Sequence, residues 1–378
     1  MRGIRLTLKL DSSLPFIEKR VKTSPMIEFL SSIGAVAAGL LCGGLLAYLE
    51  YGDFSLVGTL ISWPYANIRG FSALLSRFIP ILITSIAVMF AFYAGLPNIG
   101  APGQMIFGAI GATAIALFLP FNLPQSLHLA LMCIVAAIAG GAWALIPAIL
   151  KEKIGINLVI STMLLNYVAN LFMQFLLYGP WHRPGVKFPY TAEFPPSARL
   201  PVIPGTQIHY PTLILGLILT LLIYVIIKKT PLGYEMRVIS KNLNAAEYAG
   251  INRFKVTLIV MLISGALAGI AGFGEAAGVH HMLEKGITGA GAVYSEDYGY
   301  FAVLIAWLGR INVIGTVISA LFGAGLLCGA DALKVAGASF ALAACINGLI
   351  LIFLMITTFF SRYRIVLRRR AKNEQKSA

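Results

Sequence analysis

Apolar residues run in stretches of about twenty along most of this chain, and polar residues gather in the gaps between them. Stretches such as 29–49 and 338–360 are long enough to cross a bilayer as helices, the form that satisfies every backbone polar group internally. The pattern predicts an all-α membrane protein of about ten spans, at 29–49, 71–94, 105–118, 127–150, 157–178, 211–227, 256–273, 298–308, 313–329 and 338–360. Residues 50–69 hold Asp53, Trp63, Pro64 and Tyr65 and read as an interfacial segment, because aromatic rings suit that depth. A basic tail is expected at 1–28, the transmembrane domain at 29–360, and a second basic tail at 361–378. The first 28 residues are charged and lack an apolar core, so no cleavable signal is read there.

Composition agrees: 58% of residues are hydrophobic and 12% charged, and the mean hydropathy is +0.83, outside the range of soluble domains. The net charge of +14 invites a nucleic-acid reading. With ten spans and both ends inside, however, most Lys and Arg fall in the two tails, at Lys151 and Lys153, in 228–255 and at Arg310. Arg69, Arg77, Arg183, Lys187, Arg199, Lys285 and Lys334 are left for the outside or the membrane. That bias is the positive-inside rule, so the charge reports orientation and calls for no nucleic acid. Cys42, Cys133, Cys328 and Cys345 sit in apolar runs without paired spacing and read as small buried hydrophobes.

The longest charged segment enclosed between spans is 228–255, KKTPLGYEMRVISKNLNAAEYAGINRFK, expected to be a cytoplasmic loop. Asn242 or Asn244 can cap a short helix there, Ala245, Ala246 and Ala249 give it a flat small-residue face, and Gly250 supplies a left-handed stop. A helix that short needs flanking spans and a partner surface. The plain alternative is a solvated loop.

A second polar break, GLPNIGAPGQ at 95–104, clusters Gly, Pro and Asn between two spans. Such a break lines a cavity or is packed in protein, and interrupted helices in transporters place amides beside a permeant. The alternative is a tight turn whose backbone Asn98 and Gln104 satisfy. Thr162, Asn166, Asn170 and Gln174 follow at steps of four, drifting about 40° per step and so sharing one stripe. They either bond neighbouring helices or wet a path.

Residues 179–210 are rich in Pro and aromatics, hold Trp181, His182 and Arg183, and are expected as an external loop able to receive another protein. SGALAG at 264–269 allows close helix contact. Residues 275–296 read as irregular and contain Glu275, His280, His281 and Glu284. Adjacent histidines do not share a helix face and no third ligand is evident, so no metal site is expected; no catalytic residue and no cofactor is read elsewhere in the chain. Asp331 and Lys334 mark an outer turn and suit an ion pair. No GxxxxGK[ST], nucleophile elbow or HExxH occurs, so the chain does not itself hydrolyse nucleotide and is not read as an enzyme.

Together these stretches resemble the inner-membrane permeases of bacterial ABC importers for simple sugars and nucleosides, over about 76–354. AGLPNIGAPGQMIFGA (94–109) resembles that family's AGLFNIGxEGQ, NLVISTMLLNY (157–167) its NEVISTxMLNY helix, and GYEMRVISKNLNAAEYAGI (233–251) its GxxxRxxGxNxxAAxYAGI loop. SGALAGIAG with Glu275 follows, and YGYFAVLIAWLGRINVIG (298–315) resembles GFxxIAVALLGRxxPxG. Pro97, Pro102, Leu158, Val313 and Ile314 depart from the pattern, two of them at acidic positions. The resemblance implies a permease that takes substrate from an external binding lipoprotein or periplasmic protein and alternates access when a cytoplasmic ATPase, with two nucleotide-binding domains in one chain, closes. A second permease subunit, a paralogue or another copy, and membrane lipid complete the expected partners. The implied substrate path is Asn98, Gln104, Thr162, Asn166, Asn170, Gln174 and Glu275. The implied docking surface is Arg237, Asn242, Asn244, Ala245, Ala246, Glu247, Tyr248, Ala249 and Gly250. The rival readings are an ion-gradient transporter, which usually buries an ionisable residue mid-span, and a non-transporting scaffold.

Overall fold

The computed structural model describes residues 16–19, 25–119, 123–285 and 298–366. Its helices are α1 (Pro25–Tyr51), α2 (Ser55–Ala66), α3 (Ile68–Tyr93), α4 (Ala101–Phe118), α5 (Gln125–Ile154), α6 (Leu158–Tyr178), α7 (Tyr210–Lys229), α8 (Pro231–Lys241), α9 (Leu243–Tyr248), α10 (Arg253–Glu275), α11 (Tyr298–Leu308), α12 (Val313–Val335) and α13 (Phe340–Arg362). Among the described residues eight helices are long and apolar enough to cross a membrane, and α11 and Ala344–Thr357 within α13 are shorter apolar helices. The chain is an all-α multi-pass membrane protein. Each expected span is present as a helix, and the interfacial segment folds as the twelve-residue α2.

The chain divides into two compact units. In the first, residues 1–54 and 344–378, α1 packs on α13 through Gly39 and Gly43, which lie against Ile350 and Ile346. Strands β1 (Phe16–Lys19) and β2 (Tyr363–Val366) pair antiparallel, so parts of the two tails are ordered against each other. The second unit, Ser55–Ala343, holds the remaining helices.

In the second unit α10 is the common neighbour of α3, α4 and α5. The reason is in its small residues. A methyl group on Gly269 would overlap the Ala136 carbonyl oxygen of α5, and one on Gly140 would meet Gly269 Cα at 2.7 Å. Backbones this close gain packing that side chains would otherwise prevent. On the other flank, α3 packs against α11 and α12, and α2 lies on α12 with Gly329 against the Leu60 backbone.

Several boundaries differ from expectation. Helix α4 begins at Ala101, so the second half of the 95–104 break is already helical. Pro102 sits in its first turn, where the missing N–H has no intrahelical partner to lose. Asn157, Asn252 and Asn312 cap α6, α10 and α12 with their side-chain oxygens. Helix α12 continues to Val335, so Asp331 and Lys334 lie in its final turns rather than in a loop. Of the four cysteines only Cys328 is buried, Cys133 being intermediate and Cys42 and Cys345 exposed on their helices. An apolar face that looks to lipid cannot be told by hydropathy from one that looks inward.

Candidate functional site

The break after α3 turns back into the protein. Gly95 takes a φ of 74°, a left-handed conformation that only glycine adopts without penalty. Ser264, at the middle of the 23-residue α10, donates its hydroxyl to the Ala87 carbonyl at 2.7 Å and accepts from Asn98 Nδ2 at 3.0 Å. Ala87 lies six residues before the end of α3, so the break has climbed about 9 Å back along that helix when it reaches Asn98. It is re-entrant.

Amides hold it there. Asn98 is fully buried and exchanges hydrogen bonds with Gln104, Nδ2 donating to Oε1 at 3.1 Å and Gln104 Nε2 donating to Oδ1 at 3.0 Å. Asn98 Oδ1 also accepts from the Gly100 N–H at 2.9 Å. From α6, Asn166 Oδ1 accepts from the Gly103 N–H, and its Nδ2 donates to the Ile99 carbonyl at 2.9 Å and to the Tyr300 hydroxyl at 3.1 Å. Every one of these amides therefore spends its capacity inside the chain, as buried polar groups must. Thr162 is buried and donates to its own helix, at Leu158. Asn170 and Gln174, half-buried, bond each other at 3.2 Å. The stripe on α6 is thus divided: Asn166 clamps the break and the outer pair stands apart. Ser264 and Tyr300 were missed from sequence, the first because it sat in a run read only for small size.

At the end bearing Lys151, Lys153 and 228–255, two helices form where one was expected. Thr230 caps α8, and Met236 is buried beneath it. Asn242, not Asn244, caps α9 by accepting from the Ala245 N–H at 3.2 Å, and Gly250 is left-handed at φ 73°. The small-residue face is split as well. Ala246 is 1% exposed, while Asn244, Ala245, Glu247, Ala249 and Gly250 are exposed and Tyr248 is 94% exposed. Arg237 reaches the Tyr93 hydroxyl. Nearby, buried Glu152 takes Arg253 at 3.2 Å and the Thr257 hydroxyl at 3.1 Å, tying α5 to the start of α10.

Glu275 does not join the amides. It lies eleven residues beyond Ser264, about 16 Å along α10, in a cavity of about 210 Å³ at the opposite end of the unit. Ser76 and Arg77 of α3, Trp63 of α2, Tyr298 of α11 and Gln207 share its wall. Arg77 pairs with Asp331, which also takes Lys334 at 2.6 Å. Past Glu275 the chain makes a π-helical turn, Ala276–His280, whose Gly278 packs on the buried ring of His209. Burial pushes the His209 imidazole below its usual value, and its Nδ1 pairs with the Thr212 hydroxyl. His280 Nδ1 meets Glu284 at 2.5 Å. The 179–210 loop is pinned over this turn by backbone bonds from Thr191 to Leu283, Phe194 to His281 and Leu200 to Ala277. Residues 286–297, part of the segment expected to be irregular, lie outside the described residues.

Many apolar helices around a re-entrant, amide-clamped break define the membrane subunit of a transporter. Over residues 70–359 the chain matches the family described as branched-chain amino acid transport system / permease component, and it belongs to that family of ABC transporter permeases. It is similar to a glucose ABC transporter permease protein of Haloferax volcanii, 34% identical over 92% of this chain and 93% of the relative. A guanosine ABC transporter permease protein of Bacillus subtilis is 32% identical over 78% of this chain and 84% of its own. A nucleoside ABC transporter permease protein of Lactococcus lactis subsp. cremoris is 27% identical over 78% and 82% respectively.

Proposed function

We propose that this chain is the permease of an ATP-driven importer that receives a nucleoside or simple sugar from an external binding protein and passes it inward by alternating access. The observation that carries this reading is α9. Six residues of helix, capped by Asn242 and stopped by Gly250, stand at the basic end with Tyr248 almost wholly exposed. An isolated helix of that length is unstable, and aromatic residues are enriched at the centres of interfaces, so the helix suits a groove on a partner ATPase. The basic residues around it support a cytoplasmic placement with both tails on the same side. The partners of this reading are an ATPase with two nucleotide-binding domains in one chain, a second permease, and a binding lipoprotein or periplasmic protein. The relatives' names for glucose, guanosine and nucleosides support the solute class.

One observation favours a second reading. Glu275 is a carboxylate 2% exposed near a span end, and buried ionisable groups serve ion-coupled transporters. A single experiment separates the two: the chain is reconstituted with its ATPase and binding protein, with ATP inside and no ion gradient. Uptake of labelled guanosine or glucose is expected. Uptake by the chain alone under an imposed proton or sodium gradient, with none from ATP, replaces the first reading with the second.

A further inference from the structure

We propose that the cavity at Glu275 seats the sugar ring of the solute, with the Glu275 carboxylate accepting hydrogen bonds from two neighbouring ring hydroxyls. This rests on the permease reading for a sugar or nucleoside and assigns the ring to one place. The Glu275 side chain is 3% exposed, and its ion contact, His280 Nε2, stands at 3.6 Å, longer than a hydrogen bond. A carboxylate has about four acceptor positions, and leaving them unfilled away from water costs free energy. The cavity is where donors arrive.

The lining narrows which donors. Glu275 accepts, whereas the Arg77 guanidinium donates, and the Tyr298 and Ser76 hydroxyls do both. Asp331 lines the cavity too and holds the Arg77 guanidinium in an ion pair, so carboxylate acceptors outnumber free donors and an anion is disfavoured. A group of hydroxyls, each donor and acceptor at once, satisfies both sides. Trp63 also lines the cavity, and an indole is suited to pack against the C–H face of a ring. Size limits the guest to one ring: about 210 Å³ is below the roughly 300–1,000 Å³ that takes a drug-sized ligand, so a whole nucleoside does not fit inside. The base would lie at the mouth, beside exposed Val279 and Gln207.

The test is equilibrium binding of labelled guanosine, 2′,3′-dideoxyguanosine and glucose to the full chain in lipid nanodiscs, beside ATP-driven uptake by the assembled transporter. Guanosine and glucose are expected to bind and dideoxyguanosine, lacking the neighbouring hydroxyls, to bind at least about tenfold more weakly. Glu275→Gln should weaken guanosine by a similar factor. Ala73→Leu, which fills the cavity without removing a polar group, should do the same, so the result does not rest on one buried substitution. Equal binding of guanosine and its dideoxy analogue, wild-type binding by both variants, or no binding to the wild-type chain overturns the proposal. Normal ATP-driven uptake without such binding sinks the cavity assignment and keeps the importer, and ring binding without ATP-driven uptake does the reverse.

Discussion

Arg237 Nε donates to the Tyr93 hydroxyl at 3.0 Å, joining α8 to the last turn of α3 across 144 residues of chain. Two residues past Tyr93, Gly95 opens the re-entrant break, and a methyl group placed on it would meet Ser240 Cα of α8 at 3.3 Å. The helix that precedes α9 therefore leans on the start of the break whose Asn98 is fastened to Ser264. The Arg237–Tyr93 hydrogen bond and the approach of Ser240 to Gly95 are thus two points at which α8 touches the end of α3 and the start of the break.

Arg237→Leu removes that hydrogen bond at an exposed site, where it is worth only about 0.5–1.5 kcal/mol. Folding should be unchanged. The expected loss is in uptake per ATP hydrolysed by the assembled transporter, several-fold, and Tyr93→Phe should give the same loss. The two together should be no worse than either alone, since both break one contact. Additive losses would mean that the two side chains act independently.

On α9 the structure separates two residues, Ala246 and Tyr248, that the implied docking surface grouped together. Ala246→Asp buries an unpaired carboxylate in this chain's own packing, and a lower melting temperature of the isolated chain is expected before any partner is added. Tyr248→Ala touches nothing inside. It should leave the melting temperature in place and lower stimulated ATPase activity, because interface aromatics commonly carry about 2 kcal/mol or more of binding. Full stimulation by the Tyr248 variant would remove α9 from the docking surface.

How much of this was legible follows physical lines. Span positions came from hydropathy, which is one-dimensional, and the stop of α9 and its cap, to within Asn242 or Asn244, came from residue types that act on backbone a few residues away. What depended on through-space pairing was not legible. Nothing in the sequence told that Asn98 reaches Ser264, 166 residues on, or that Glu275 parts from the amides to join Arg77 and Trp63. The 3.6-residue period placed Thr162, Asn166, Asn170 and Gln174 on one stripe correctly. It carried no information on which neighbours would cover the stripe: Thr162 lies against Gly100 of the break and Asn166 bonds it, while Asn170 and Gln174 bond each other.

Asn98→Leu leaves the Gly100 N–H, Gln104 and the Ser264 hydroxyl short of partners in a buried site. Each unsatisfied group costs about 1–3 kcal/mol, so this variant should be among the least stable single changes. Gln104→Leu leaves only Asn98 short and should cost less. Thermal unfolding in one detergent ranks them. Equal midpoints would show that water already enters the network and replaces the lost partners.

The last prediction concerns the contact on which the second unit is built. Gly140 and Gly269 let α5 and α10 approach until their backbones touch, a geometry in which even a methyl group has no room. Gly269→Ala must push the helices apart, and the penalty exceeds that of ordinary overpacking, about 1–3 kcal/mol, because the atom it meets is a carbonyl oxygen held by its own helix. Separation also draws Ser264, five residues earlier on α10, away from Ala87 and Asn98. The variant should therefore lose stability and the ordered break together, seen as faster protease cleavage or labelling at a cysteine introduced in place of Ile99. Gly155→Ala, a left-handed helix stop with open space around it, is the control: it should lose stability by backbone strain of about 1–2 kcal/mol and leave Ile99 as protected as before. Equal exposure of residue 99 in the two variants would sink the link between helix spacing and the break.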